Sequence, residues 1–280
     1  ALGEGAFGCV VLVKDPSNST YYAVKAVLKD HITREKCESS VQSERTVMSL
    51  ANSDFVVRLY MTYQDSDSLF FMMEPALGGE LYDLYTERDL YGDTSAARFY
   101  ISCVILGLEH LHRWRVVYRD LKLENCLLGV DGYLKLSDMG IAKVVADKTY
   151  TICGTADYLA PETLRQAGQD CAVDWWACGV LLFIMCVGTS PFEAPEVKQI
   201  YRNIVKGFAH VTFPDTCSSD LVEVIKGLCR KKPEERVAMR QGGVANLQDM
   251  RWFSTLDWEK LARRQLEPFV VPAPPDYEKL

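Results

Sequence analysis

The sequence predicts an α+β chain in two unequal parts, a strand-rich N-terminal quarter with one key helix and a larger, mainly helical remainder. Three observations carry this. Up to about residue 75, short runs of β-branched and aromatic residues such as Tyr21–Val27 and Leu69–Met73 alternate with polar turns, which is the pattern of strands. Among them Glu35 to Leu50 has helical apolar spacing at Val41, Val47, Met48 and Leu50. Further on, Thr94 to Trp114 repeats apolar residues at helical spacing through Ala97, Phe99, Ile101, Val104, Leu108 and Leu111. The apolar run from about Gly179 to Val187 is too short to span a bilayer and reads as a buried helix.

Composition narrows the field without choosing within it. A chain of 280 residues can bury a substantial core. Its 31 basic and 38 acidic residues give a net charge of -7, so nothing global points to nucleic acid. The ten cysteines lack a paired-spacing zinc pattern and the four histidines form no ligand cluster, so reduced, cytosolic thiols are expected. No signal peptide is visible. The chain starts inside a motif at Ala1-Leu2-Gly3 and stops at Glu278-Lys279-Leu280 without closure, as expected of a fragment of a longer polypeptide.

Taken in order, the first element is a glycine-rich turn, Gly3-Glu4-Gly5-Ala6-Phe7-Gly8, between two strands. Glycines let backbone approach phosphates closely, and turn amides can meet their oxygens. The residues after Gly8 read as strand and not helix, against a dinucleotide-binding reading. The next strand, Tyr21 to Val27, carries Lys25, and the helix after it carries Glu44, which alone could equally be a solvated surface residue. Strands are expected at Val56–Tyr60 and Leu69–Met73, separated by the turn Gln64–Ser68. Leu77-Gly78-Gly79-Glu80-Leu81 opens a helix. His110 and His112, near the end of the long helix, do not face each other and read as structural or surface residues.

The chemistry concentrates in Tyr118-Arg119-Asp120-Leu121-Lys122-Leu123-Glu124-Asn125 and, after a turn at Val130-Asp131-Gly132, in Ser137-Asp138-Met139-Gly140. An aspartate, a lysine two residues on, an asparagine three further on and a second aspartate before a glycine suit phosphoryl transfer to an alcohol. Asp120 would orient the hydroxyl and accept its proton, while Asn125 and Asp138 would hold magnesium through hard oxygen donors.

This ordered set resembles the catalytic core of eukaryotic protein kinases, over nearly the whole chain. The resemblance implies a bilobal fold with a small antiparallel-sheet N-lobe over residues 1–75, a mainly helical C-lobe over 76–258 and a partial C-terminal tail over 259–280. It implies ATP and Mg2+ as cofactors. Lys25, paired with Glu44, would meet the alpha and beta phosphates beneath Gly3, Gly5 and Gly8, and Lys122 the gamma phosphate. Met73 matches the residue guarding the back of the adenine pocket, and also suits a core methionine; Glu74-Pro75-Ala76 matches the hinge. Pro75 has no amide donor, so the donor falls to Ala76. Val10, Ala23, Leu81, Leu127, Leu181 and Met185 would flank the adenine, and Met48, Leu59, Tyr118 and Met139 would form a second internal stack.

By the same resemblance Thr151 is the activating phosphosite and Arg119 its partner, through a bidentate guanidinium–phosphate contact. Thr155 belongs to the substrate-receiving wall beside Asp120 and Lys122. Cys153, between them, is a candidate for oxidation. Glu162 would pair with Arg236, and Asp174 would accept backbone amides of the catalytic loop. Tyr118, Cys153-Gly154-Thr155 and the ending Trp252–Trp258 with Leu266-Glu267-Pro268-Phe269 are similar to the AGC group of Ser/Thr kinases, nearest to its cyclic-nucleotide-dependent members. The cGMP-dependent branch is favoured, with the cAMP-dependent catalytic subunit as alternative. Such enzymes act on Ser or Thr after basic residues, read here by Glu80 and Glu124. The implied partners are protein substrates with Arg or Lys upstream, and cyclic-nucleotide-binding domains in cis or a regulatory subunit in trans. The implied location is cytoplasmic, with any membrane association supplied by regions outside the fragment.

Departures from the family pattern are Met139 for phenylalanine, Leu123 and Ala156 for prolines, Asp157 for glutamate, and Ile184 where a third arginine-reading glutamate is common. The distal hydrophobic motif that docks on the small lobe is absent from the sequence. A pseudokinase or scaffold would lack one of Lys25, Glu44, Asp120, Lys122, Asn125 and Asp138; all are present. A metabolic small-molecule kinase would lack the long segment from Asp138 to Glu162.

Overall fold

A five-stranded antiparallel sheet forms the N-terminal lobe of the computed structural model, which describes residues 2–5 and 8–274. Its order is β1-β2-β3-β5-β4, from β1 (Gly3–Gly5), β2 (Gly8–Lys14), β3 (Tyr21–Leu28), β4 (Leu59–Gln64) and β5 (Ser68–Met73). β2 and β3 pair in register Val10↔Lys25, and β3 with β5 as Lys25↔Phe71. Lys25 therefore stands mid-sheet, flanked by two strands. At Gly8 a Cβ would lie 1.7 Å from the Ala26 carbonyl oxygen, so only glycine lets β2 leave the turn so close to β3.

Two details differ from the sequence expectation. The helix expected over Glu35 to Leu50 begins at Glu38 as α2 (Glu38–Leu50), and a separate helix that was not expected, α1 (Lys29–Glu35), precedes it. Lys36 adopts a left-handed conformation (φ 53°), and the Cys37 amide returns to the Ile32 carbonyl, a helix stop that apolar spacing does not reveal. The fourth strand begins at Leu59, not Val56, and runs on through Gln64, where a turn was expected. Val56 and Val57 are claimed instead by the C-terminal lobe: Val57 N–H donates to the Leu136 carbonyl and Leu136 N–H to that of Phe55, both at 2.9 Å. The turn shrinks to Asp65–Asp67, with the Asp65 carboxylate accepting the Asp67 and Ser68 amides.

The C-terminal lobe is helical. α3 (Leu81–Glu87) leads to α4 (Thr94–Arg113), whose first turn is capped by Asp93 accepting from Ser95 and Ala96 amides. Then come β6 (Val116–Val117), β7 (Cys126–Leu128), β8 (Leu134–Leu136) and β9 (Lys143–Val144), forming the β7·β8 hairpin and a two-stranded antiparallel sheet of β6 with β9 around it. The remaining helices are α5 (Pro161–Leu164), α6 (Ala172–Val187), α7 (Val197–Lys206), α8 (Ser219–Leu228), α9 (Ala245–Gln248) and α10 (Trp258–Ala262). α6, apolar almost all round, is the buried axis of this lobe, with Trp175, Trp176, Leu181 and Met185 at most 2% exposed. Among the described residues no helix is long and apolar enough to cross a membrane. All ten cysteines are free thiols, five of them buried.

After α10 the chain returns along the lobe. The Tyr133 hydroxyl donates to the Leu266 carbonyl at 2.6 Å, Arg264 pairs with Asp131 at 2.9 Å, and Phe269 meets Tyr100 edge-on.

Candidate active site

The catalytic-loop segment is held in place by a single carboxylate. Asp174, 1% exposed in the first turn of α6, accepts the Tyr118 amide at 2.9 Å, the Arg119 amide at 2.8 Å and His112 Nε2 at 2.8 Å. Three donors offset the burial of that charge, and they hold Arg119 at φ +70°, a region non-glycine residues seldom occupy. His112 is thus the clamp's third arm, and the histidine expectation resolves to a structural role. His110 Nε2 accepts the Asn52 amide at 3.1 Å, and burial lowers its pKa.

Around Asp120 the predicted residues gather closely. Its Oδ2 accepts Asn125 Nδ2 at 2.8 Å and lies 3.3 Å from Lys122 Nζ, while Oδ1 accepts the Thr155 hydroxyl at 3.2 Å. Asn125 Nδ2 also donates to the Asp120 carbonyl at 2.8 Å. Both N–H groups of that amide are thereby engaged, and its Oδ1 is left as the oxygen free to ligate. The same asparagine holds the next loop, because its carbonyl accepts both the amide and the hydroxyl of Ser137 at 2.9 Å. From the other side the Tyr118 hydroxyl donates to the Ser137 carbonyl at 2.5 Å. Asp138 follows with φ +49°, exposed, its Oδ1 accepting the Gly140 amide at 3.1 Å.

Asn125 and Asp138 supply hard oxygens from neighbouring loops, a pair that suits magnesium completed by phosphates and water better than an all-protein cage. Among the described residues no cluster of three or more His, Cys, Asp or Glu able to hold a metal occurs.

In the sheet lobe Lys25 Nζ lies 2.6 Å from Glu44 Oε1, with the glutamate side chain 7% and the lysine 18% exposed. α2 is fastened to the segment after Asp138, since the Ser43 hydroxyl donates to the Ala142 carbonyl at 3.1 Å. Met48, Tyr118 and Met139 are buried and Leu59 is half-buried against the same core. Met139 is 2% exposed, its flexible thioether side chain packed within the core. Gly3, Gly5 and Gly8 lie on the paired strands β1 and β2, whereas Ala6 and Phe7 at the tip lie outside the described residues.

The hinge is anchored at both ends. Glu74 N–H donates to the Arg58 carbonyl at 2.8 Å, and beyond Pro75 and Ala76 the Gly78 amide donates to the Leu128 carbonyl at 2.8 Å. Met73, Ala23, Val10 and Leu127 are buried or half-buried nearby on β5, β3, β2 and β7, and Leu81, Leu181 and Met185 belong to the helical core. Lys135 was not foreseen from the sequence. It is 3% exposed, donates to the Asp54 carbonyl at 2.8 Å and lies 3.1 Å from Glu74 Oε1.

In the long segment after Asp138, Thr151 is exposed and its carbonyl accepts Gln169 Nε2 at 2.7 Å. Thr149 and Gln169 exchange backbone bonds at 2.9 and 2.8 Å, another contact not foreseen. Arg119 turns its Nε and Nη2 to the Ile141 carbonyl and leaves Nη1 buried without a hydrogen-bond partner. Burial raises the Cys153 thiol against the opposing pull of Arg119, which disfavours the reactive thiolate. Glu162 and Arg236 meet through two bonds of 2.7 and 2.6 Å, Arg236 being fully buried. Glu80 is half-buried; desolvation raises its pKa, with Asp83 and Glu124 adding to the rise and Lys122 opposing it. Glu124 is exposed.

A sheet lobe carrying a part-buried lysine–glutamate bridge, joined by a tethered hinge to a helical lobe carrying two aspartates and an asparagine, is the architecture of a bilobal phosphotransferase. Known proteins narrow the class: the chain belongs to the protein kinase family, whose model, described as the protein kinase domain, matches residues 1–253. Its similarities place it with the catalytic domains of AGC-type Ser/Thr kinases. It is 41% identical over 276 residues to cGMP-dependent protein kinase, isozyme 1, of Drosophila melanogaster, covering 97% of this chain and 36% of that protein. It is 36% identical over 267 residues to cGMP-dependent protein kinase 2 of Homo sapiens, covering 95% of this chain and 35% of that one. To the cAMP-dependent protein kinase catalytic subunit of Dictyostelium discoideum it is 37% identical over 270 residues, covering 96% of this chain and 41% of the other. The chain thus spans well under half the length of these relatives.

Proposed function

We propose that this domain transfers the gamma phosphate of ATP to Ser or Thr hydroxyls of proteins carrying Arg or Lys upstream of the target, within a polypeptide controlled by a cyclic nucleotide, cGMP in first place. The observation that carries the reading is Asp120, with one carboxylate oxygen held by Asn125 and Lys122 and the other turned to Thr155. In that setting Asp120 positions the incoming hydroxyl and takes its proton. Lys122, 3.3 Å away, neutralises the transferring phosphoryl group, and Lys25, oriented by Glu44, holds the remaining phosphates beneath the strands of Gly3, Gly5 and Gly8. Asn125 and Asp138 would hold magnesium, which when bound would supply charge neutralisation for the phosphates. Glu74 and Ala76 offer the backbone acceptor and donor for the adenine edge, with Met73 behind it and Val10, Ala23 and Leu127 against its faces.

Regulation follows from the segment around Thr151. A phosphate there meets the buried, unpartnered Nη1 of Arg119, whose backbone Asp174 already holds. Glu80 and Glu124 form the acidic face for basic residues upstream of the target, while Ile184 leaves that face one carboxylate short and relaxes the preference two positions upstream. Cyclic-nucleotide control rests on the named relatives and on chain outside residues 1–280, in cis for the cGMP reading. The Dictyostelium relative favours the second reading, a cAMP-dependent catalytic subunit with its regulatory subunit in trans. No property of the net charge favours nucleic acid as a partner, and a cytoplasmic location fits the ten free thiols.

The test is radiolabelled phosphotransfer by the full-length native polypeptide to an arginine-rich serine peptide, with cGMP and cAMP titrated separately. Activation at much lower cGMP supports the first reading. Preference for cAMP, or constitutive activity from a full-length chain without nucleotide-binding modules, selects the second. Absence of magnesium-dependent transfer under all conditions overturns both.

A further inference from the structure

Lys135 is the charged side chain whose burial the catalytic scheme leaves unexplained. It lies on β8 with its neighbours Leu134 and Leu136 fully buried, and strict alternation would have turned it to solvent. Desolvating an ammonium group is costly unless it is paired. Here the cost is met by partners from two separate elements: the Asp54 carbonyl at 2.8 Å, in the connection from α2 to β4, and Glu74 Oε1 at 3.1 Å, at the start of the hinge. On the β7·β8 hairpin its register partner is Leu127, the residue offered as the floor of the adenine pocket.

One ammonium group therefore joins the floor, the back connection and the first residue of the hinge. The hinge is otherwise fixed by the Glu74 amide to Arg58 and by the Gly78–Leu128 bond, which leaves Glu74, Pro75, Ala76 and Leu77 to span the purine edge. We propose that Lys135 is a positioning residue of the nucleotide site, setting the height of the Glu74 carbonyl over the hairpin floor and so the preference for a purine bearing a 6-amino group. The inference rests on the ATP-binding reading above. A 6-amino group donates to the Glu74 carbonyl, whereas the 6-oxo group of guanine presents an acceptor to it. Discrimination between the two depends on how rigidly that carbonyl is held. Releasing Glu74 lets the hinge shift, which weakens ATP binding and lowers the penalty against GTP. Turnover at saturation is spared, because the Asp120 cluster makes no contact with Lys135.

The experiment compares wild type, Lys135→Met and Lys135→Arg in the full-length native polypeptide, measuring kcat and KM for ATP and for GTP in peptide phosphorylation, with Glu74→Gln as a second route should Lys135→Met fail to fold. Expected for Lys135→Met is a KM for ATP raised about five- to tenfold, kcat within about twofold, and an ATP-to-GTP ratio of kcat/KM lowered by a similar factor. Lys135→Arg should recover most of the ratio, and Glu74→Gln should move it in the same direction as Lys135→Met. An unchanged ratio in both Lys135→Met and Glu74→Gln, or in Glu74→Gln alone where Lys135→Met does not fold, overturns the inference whatever happens to stability. A wild type that uses neither nucleotide overturns the ATP reading itself and the inference with it, an outcome distinct from a wild type that prefers ATP beside variants that keep the preference.

Discussion

Replacing Arg236 with Met should destabilise the helical lobe far more than its modest loss of volume implies. Arg236 is fully buried and donates four hydrogen bonds, two to Glu162 at 2.6 and 2.7 Å, one to the Ala172 carbonyl at 2.6 Å and one to the Arg230 carbonyl at 3.1 Å. Its guanidinium also lies 5.4 Å from the Trp176 ring centroid. Methionine fills much of the space but leaves the carboxylate of Glu162, 5% exposed, without a counter-charge, and removes the side-chain donor from the Ala172 and Arg230 carbonyls. Removing one partner of such a pair costs about 3–5 kcal/mol. At about 2–4 °C per kcal/mol for a large domain, that is a fall in Tm of roughly 6–20 °C. The control is the exposed pair Arg251–Asp220, 3.4 Å apart with the arginine side chain 83% exposed, where Arg251→Ala should cost no more than about 0.5 kcal/mol. Thermal unfolding followed by circular dichroism measures both. A Tm for Arg236→Met within about 2 °C of wild type, or equal effects of the two substitutions, would show that the buried pair does not hold the lobe together.

Two further outcomes follow from the site. Thr151→Ala should lower turnover, because the buried Nη1 of Arg119 then has no phosphate to meet; unchanged turnover in the native polypeptide would remove Thr151 from regulation. Desolvation, with Asp83 and Glu124 behind it, raises Glu80, so its charge is present above that raised pKa and is lost as pH falls through it. The KM for an arginine-rich peptide should therefore climb as pH falls through that raised pKa, and Glu80→Gln should start with a higher KM and a flatter profile; parallel profiles would count against Glu80 as a reader of basic residues.

Much of the candidate site's geometry was legible because the residues proposed for phosphoryl transfer fall in short stretches of chain. Asp120, Lys122 and Asn125 fall within one loop, and the sequence spacing alone puts them in reach of one another. Lys25 and Glu44 are farther apart, but each is positioned by a regular element whose period could be read, and the structure brings them to 2.6 Å. What escaped was set by tertiary competition. Val56 and Val57 have strand propensity, and they spend it on Leu136 in the other lobe and not on the sheet. The break between α1 and α2 depends on a left-handed Lys36, a conformation no apolar pattern encodes. His112 sits on the wrong face for His110, yet it is on the right one for Asp174, 62 positions along the chain. Lys135 gave no sign of its role because its partners, Asp54 and Glu74, come from elements that only the fold brings to it.

The most direct test of the phosphotransfer scheme is to compare wild type with Asp120→Asn in the full-length polypeptide, following radiolabelled phosphate from ATP to an arginine-rich serine peptide beside the binding of a fluorescent ADP. The scheme predicts that kcat falls about 10²- to 10⁴-fold while nucleotide affinity stays within about twofold, since Asp120 meets the hydroxyl and the loop and not the nucleotide base. Equal losses in turnover and nucleotide affinity would make Asp120 a structural residue, and undiminished transfer would place the catalytic base elsewhere.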